Sequence, residues 1–187
     1  MKKRLKIMGL FCFLGWISLS QVCAKDWVLS SKSAIRFDIK SLGMSVVSGQ
    51  FTKYQSKMNF EINHPESASA EFILDVESID INRTSLRTRI MGENLFYVAK
   101  YKTISFKSIK FKSIGDQQYN IHGILTIRGI SKPVIFNTTL KPKDDAVQKI
   151  DVNASTIIRR SDFGMKPAVA GVGEKVTIQV KGTWIKD

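Results

Sequence analysis

The chain has 187 residues, 43% of them hydrophobic and 24% charged, with 29 Lys/Arg against 16 Asp/Glu and a formal net charge of +13. Those values exclude a disordered, fibrous or low-complexity chain and suit one domain with a sizeable core. The only cysteines, Cys12 and Cys23, both lie near the N-terminus, so neither a disulfide framework nor a cysteine-based metal site is on offer further along.

Lys2, Lys3, Arg4 and Lys6 precede an apolar run from Ile7 to Leu19, and Val22-Cys23-Ala24 supplies small residues for cleavage. This is the layout of a secretory signal peptide, residues 1–24, and the run is shorter than the ~20 residues of a membrane-spanning helix. Removal of the leader takes four Lys/Arg and no acid, which leaves residues 25–187 as one domain of charge +9 without cysteine. The expected destination is an oxidising, extracytoplasmic compartment.

Along the remaining chain, Ile35, Phe37 and Ile39 alternate with Arg36, Asp38 and Lys40, a strand with one wet face. Phe51 to Ile62 reads as a long, bent strand, and Ala70, Phe72, Leu74 and Val76 alternate next. Near Ile81 the period changes. Asn82 is placed as an N-cap, Leu86 and Ile90 stand four apart in Thr84–Met91, and Asn94–Val98 suits a second short helical turn. Strand patterns return over 104–114, 118–128, 134–140, 150–158 and 176–184, with turn signals at 115–116, 129–133, 142–145 and 171–173. In the hairpin pattern, Gly129 suits positive φ and Pro133 suits the first residue of a strand. About eight strands with one helical interruption predict an all-β barrel or sandwich, and an eight-stranded barrel has room inside for one small ligand.

Catalytic signatures are scarce. His64 and His122 are isolated, no Gly-x-Ser-x-Gly elbow is present, and Gly171-Val-Gly173 lacks the rest of a dinucleotide fingerprint. Asp75 and Glu77, two apart on one strand face, are the residues a cofactor-free hydrolase or isomerase would use, although a solvated strand face explains them more simply. Basic clusters occur at Lys107, Lys110 and Lys112, at Arg83, Arg87 and Arg89, and at Arg159, Arg160 and Lys166. No aromatic-basic recognition motif accompanies them. That argues against nucleic acid and leaves a soluble basic surface, a phosphorylated head group or transient contact with an anionic membrane.

An ordered series of segments resembles the YceI-like lipid/polyisoprenoid-binding family. It comprises Ser33-Ala-Ile-Arg-Phe-Asp-Ile39, Leu42–Phe51, Asp75–Asp80, Asn94–Tyr101, Ile104–Ser108, Gly123–Val134, Ser161-Asp-Phe-Gly164 and Val172–Val176. The resemblance implies an antiparallel lipocalin-like barrel in the periplasm. Its apolar cavity would hold a polyisoprenoid or similar amphiphilic lipid, with no cofactor, metal or enzymatic activity. The chain departs from the family pattern in the helical stretch, where Arg87 and Arg89 stand at positions usually held by Asp and His, and Lys102 replaces a proline. The tail contacts expected on this reading are Leu95, Phe96, Phe106, Leu125, Ile127, Phe136, Phe163 and Met165. Arg87, Arg89 and Lys102 are the expected head-group contacts. A structural or interaction module with a filled barrel is the competing reading, and the sequence leaves the oligomeric state open, a dimer included.

Overall fold

The computed structural model describes residues 26–41, 44–143, 148–166 and 173–186. The leader expected at 1–24 and parts of the turns expected at 142–145 and 171–173 lie outside them. Eleven strands are present among the described residues: β1 (Trp27–Leu29), β2 (Ala34–Ser41), β3 (Met44–Phe51), β4 (Tyr54–Asn59), β5 (Ser69–Asp75), β6 (Ile79–Ile81), β7 (Thr103–Gly115), β8 (Gln118–Ile127), β9 (Ile130–Pro142), β10 (Lys149–Arg159) and β11 (Lys175–Lys186). They reduce to eight staves of a closed antiparallel barrel. β2 pairs with residues 176–181 of β11 and β1 with residues 184–186, so the first stave is one broken strand. The second stave is β3 with β4 and the third is β5 with β6, since β3 pairs with β2 and β6 while β4 pairs with β1 and β5. β5 then pairs with β7, and four successive hairpin pairings lead to β11, which closes the ring on β1 and β2. Closure leaves no stave with a wholly free edge.

The expected long strand from Phe51 to Ile62 is broken, because polar side chains capture the backbone in its middle. Ser78 Oγ accepts from Lys53 N at 3.0 Å, and Thr52 Oγ1 donates to Ser78 O at 2.9 Å. Residues 76–78 on the facing stave form a 3₁₀ turn capped by Asp75, whose Oδ1 accepts from Glu77 N at 2.8 Å. The two staves therefore bend together. The turn also means that Asp75 and Glu77 do not project from a common strand face.

Between β6 and β7 the chain makes an excursion over the barrel end. It contains a 3₁₀ turn (Thr84–Leu86) running into α1 (Arg87–Met91), and Val76 N donating to Lys102 O at 2.9 Å marks its return. Asn82 does not cap this helix. Its Oδ1 instead accepts from Ser48 N at 3.0 Å, which ties the start of the excursion to β3. Residues 94–98 form successive turns instead of a second helix, with Tyr97 at φ 51° and Val98 N bonded to Met91 O at 3.0 Å.

The β8–β9 hairpin turns in two residues, Arg128 (φ 53°) and Gly129 (φ 71°), as in a type I′ turn. β9 consequently begins at Ile130, earlier than expected, and Pro133 lies within it opposite Ile124. A proline is tolerated there because β9 is a local edge. Its ladder with β10 covers only the stretch from Asn137↔Ser155 to Pro142↔Ile150. At the other end of the barrel Trp27, Phe60, Phe111 and Tyr119 form a plug. Trp27 Nε1 donates to Phe60 O at 3.0 Å, and the Phe60 and Tyr119 rings meet edge-on at 5.7 Å.

Candidate functional site

Strand alternation builds the interior. β8 buries Tyr119, Ile121, Leu125 and Ile127 on its inner face and leaves His122 and Thr126 on the outer one. Gly123 also falls on the inner face, where the ring of Phe106 lies across it from β7. A Cβ there would stand 2.5 Å from Phe106 Cζ and 2.6 Å from Lys107 O. That ring meets Phe136 of β9 edge-on, with centroids 5.1 Å apart.

Inside these staves lies a cavity of about 140 Å³. Its wall is almost wholly apolar, with Phe37, Phe72, Ala70 and Ala154 among the lining side chains and Trp184 and Met58 toward the aromatic plug. Leu86, Arg89, Ile90, Leu95 and Phe96 reach it from the excursion that covers the other end, and Met165 reaches it from the segment after β10. Phe96 packs edge-on against Phe37 at 6.2 Å. The polar side chains of the lining are Arg89, Arg160 and Thr138, and Thr138 Oγ1 donates to Phe136 O at 3.3 Å.

Of the residues singled out in the sequence, Leu95, Phe96, Phe106, Leu125, Ile127, Phe136, Met165 and Arg89 line this cavity together. Three lie elsewhere. Phe163 is only 1% exposed, but it fills the seam between β9 and β10 and faces an outer groove. Arg87 turns back onto the barrel, where its guanidinium donates to Ile79 O and, at 2.7 Å, to Glu77 O. Lys102 pairs with Glu77 Oε1 at 2.7 Å. Among the described residues the guanidinium of Arg89 has no such partner, and its side chain is both exposed and part of the lining.

In sequence Arg160 falls in a basic cluster with Arg159 and Lys166, whereas the structure buries it at 4% exposure against the cavity. The signal was present, since the inward alternation Ile150, Val152, Ala154, Thr156, Ile158 reaches Arg160 two residues later. Burial is compensated by hydrogen bonds. Nε donates to Gly173 O at 2.9 Å, Nη1 donates to Lys166 O at 2.8 Å, and Glu174 Oε2 lies 3.5 Å from Nε. Hydrogen bonding from Ser161, aided by the charges of Arg160 and Arg159, holds the Glu174 carboxyl below the usual glutamate range.

Neither Asp75 nor Glu77 lines the cavity. His64 sits beside Glu66 in an exposed turn, and no group of three His, Cys, Asp or Glu side chains suited to a metal occurs among the described residues.

A family model described as the YceI-like domain matches residues 27–184. A UPF0312 protein of Pseudomonas savastanoi is 27% identical over 172 residues, covering 89% of this chain and 88% of its own. One from Vibrio cholerae is 26% identical over 188 residues, covering 97% and 98%. Among solved structures, BcnA of Burkholderia cenocepacia superposes with a TM-score of 0.76 at 22% identity over 83% of this chain and 98% of that one. A polyisoprenoid-binding domain from Saccharophagus degradans superposes at 0.68 with 10% identity, over 88% and 99%. The barrel, its residue pattern and a match spanning nearly all the described residues agree: the chain belongs to the YceI-like family.

Proposed function

We propose that the protein is a periplasmic carrier that holds a polyisoprenoid or similar amphiphilic lipid by its tail inside the barrel. The observation that carries this reading is the apolar cavity, lined from all eight staves and covered at one end by a segment whose one cation in the lining, Arg89, has no hydrogen-bond or ion-pair partner among the described residues. Burial of a tail there gains roughly 25 cal/mol per Å² of apolar surface removed from water. Arg89 would meet an anionic head group at the covered end. The sequence supports the compartment through its leader-like N-terminus. The polyisoprenoid-binding description of the Saccharophagus domain supports the ligand class.

The volume adds a requirement. About 140 Å³ is close to the ~150 Å³ of an engineered cavity that takes one benzene. A longer tail therefore seats only when apolar side chains of the cover, such as Leu86, Leu95, Phe96 and Met165, move aside. These are long or aromatic side chains on turns, not on the staves. The protein purified from its native host under gentle conditions, extracted with organic solvent and read by mass spectrometry, should release a stoichiometric lipid with an unbranched or isoprenoid tail. Repeatedly empty extracts would favour a filled structural barrel instead.

A further inference from the structure

We propose that the outer wall around Ile109, Ile135 and Ile157 is a docking surface for an anionic lipid bilayer. This surface lies on the outside of the barrel and needs no ligand within it.

The wall is unusual on this side. The β9–β10 ladder ends at Asn137↔Ser155, yet β9 begins at Ile130 and β10 continues to Arg159. Where the ladder stops, a groove of about 790 Å³ opens on the outside, and Phe163 lies beneath it. Ile109 at 69% and Ile157 at 64% are the most exposed large hydrophobic residues among those described, and both line this groove with Ile135. Exposed apolar side chains gathered in one place mark an interaction site more often than scattered ones do.

Charge identifies the occupant. Lys110, Lys132 and Arg159 line the groove against Asp162 as the one acid. Lys110 and Lys132 have no acidic partner among the described residues, and Arg159 stands 3.9 Å from Glu174. Lys57, Lys102 and Lys107, by contrast, are each paired with a carboxylate within 2.8 Å. Unpaired cations around exposed isoleucines match a surface with apolar depth and negative head groups. A second copy of this chain fits poorly, since a two-fold contact would set the same cations against each other. An added peptide strand fits poorly too, since Lys132 and Pro133 occupy the open edge of β9 and such residues discourage strand pairing.

Vesicle flotation with the intact protein tests this. The chain should float with phosphatidylethanolamine–phosphatidylglycerol vesicles and not with phosphatidylcholine vesicles, and added salt should release it. Lys110→Glu with Lys132→Glu should weaken partition about tenfold or more, and Ile109→Ser with Ile157→Ser should weaken it even at low salt. Ile73→Ser with Ile185→Ser, exposed isoleucines on other parts of the barrel, should behave as the parent. Equal flotation of all variants, or none by the parent, would overturn the proposal, as would a dimer dispersed by the groove variants. Lipid extracted from the lumen of the groove variants should be unchanged, so docking and cargo can fail separately.

Discussion

Arg128 Nη1 donates to the carbonyl oxygen of Gly164 at 2.7 Å, and the same nitrogen reaches Asn94 O at 3.4 Å. One side chain of the β8–β9 turn thereby holds both segments that cover the cavity, and Lys166 N donating to Asn94 O at 2.8 Å joins those segments to each other. Arg128→Ala removes the clasp while keeping a Cβ at positive φ. It should cost about 1–2 kcal/mol in urea unfolding. Arg128→Gly should recover part of that loss, because glycine adopts φ 53° without steric cost. An unchanged midpoint in the alanine variant would mean that water replaces both bonds at no cost.

Arg160 bonds both Lys166 O and Gly173 O. Arg160→Met keeps an apolar stem but leaves these carbonyls and Glu174 without their partner. It should destabilise the fold by about 2–3 kcal/mol, less than a fully buried pair because Glu174 is partly exposed. Glu174 gives the arrangement a pH signature. Its carboxyl is more acidic in the folded state than in the unfolded chain. Its contribution is therefore fully present above the unfolded glutamate pKa and is lost as pH falls through the lower folded value. Denaturant titrations below pH ~4 should show the parent losing stability more steeply than Glu174→Gln. Parallel curves would remove Glu174 from the account.

Strand alternation was legible because period two is set by the backbone itself. It located the inner faces of β2, β5 and β8, and with the last of these Leu125 and Ile127. The breaks in the second and third staves were not legible. They depend on Thr52, Asp75 and Ser78 meeting across two staves, and no local pattern encodes that meeting. Arg87 and Arg89 look equivalent in sequence, yet α1 directs one onto the carbonyls of Ile79 and Glu77 and the other toward the cavity. Phe163 was expected among the tail contacts, but its position in the wall seam follows from where the β9–β10 ladder ends.

That difference between the two arginines separates structure from binding. Arg87→Ala should lower stability by about 1–2 kcal/mol through its lost carbonyl bonds and leave the identity of extracted lipid unchanged. Arg89→Ala should leave the unfolding midpoint within about 0.5 kcal/mol and reduce retention of a phosphate-headed isoprenoid more than that of its uncharged alcohol. Both lipids can be offered to the delipidated protein and quantified after gel filtration. Equal retention of the two lipids by the parent and by Arg89→Ala would deny Arg89 a head-group role.

The cavity itself is tested by filling it. Ala154 is 7% exposed, points inward from the middle of β10 and lines the lumen. Ala154→Phe adds a ring of about the size the empty space accepts, and the added apolar burial should offset the local crowding. Thermal unfolding of the lipid-free variant should match or exceed the parent, with a gain of up to about 2 kcal/mol, while lipid retention falls at least about tenfold, or ~1.4 kcal/mol. A small-to-large change that merely disrupts the core would lower both stability and retention, and Gly123→Ala serves as that control, because its Cβ would meet the Lys107 carbonyl at 2.6 Å. A stable Ala154→Phe protein that still carries lipid at parental levels would place the cargo outside the barrel.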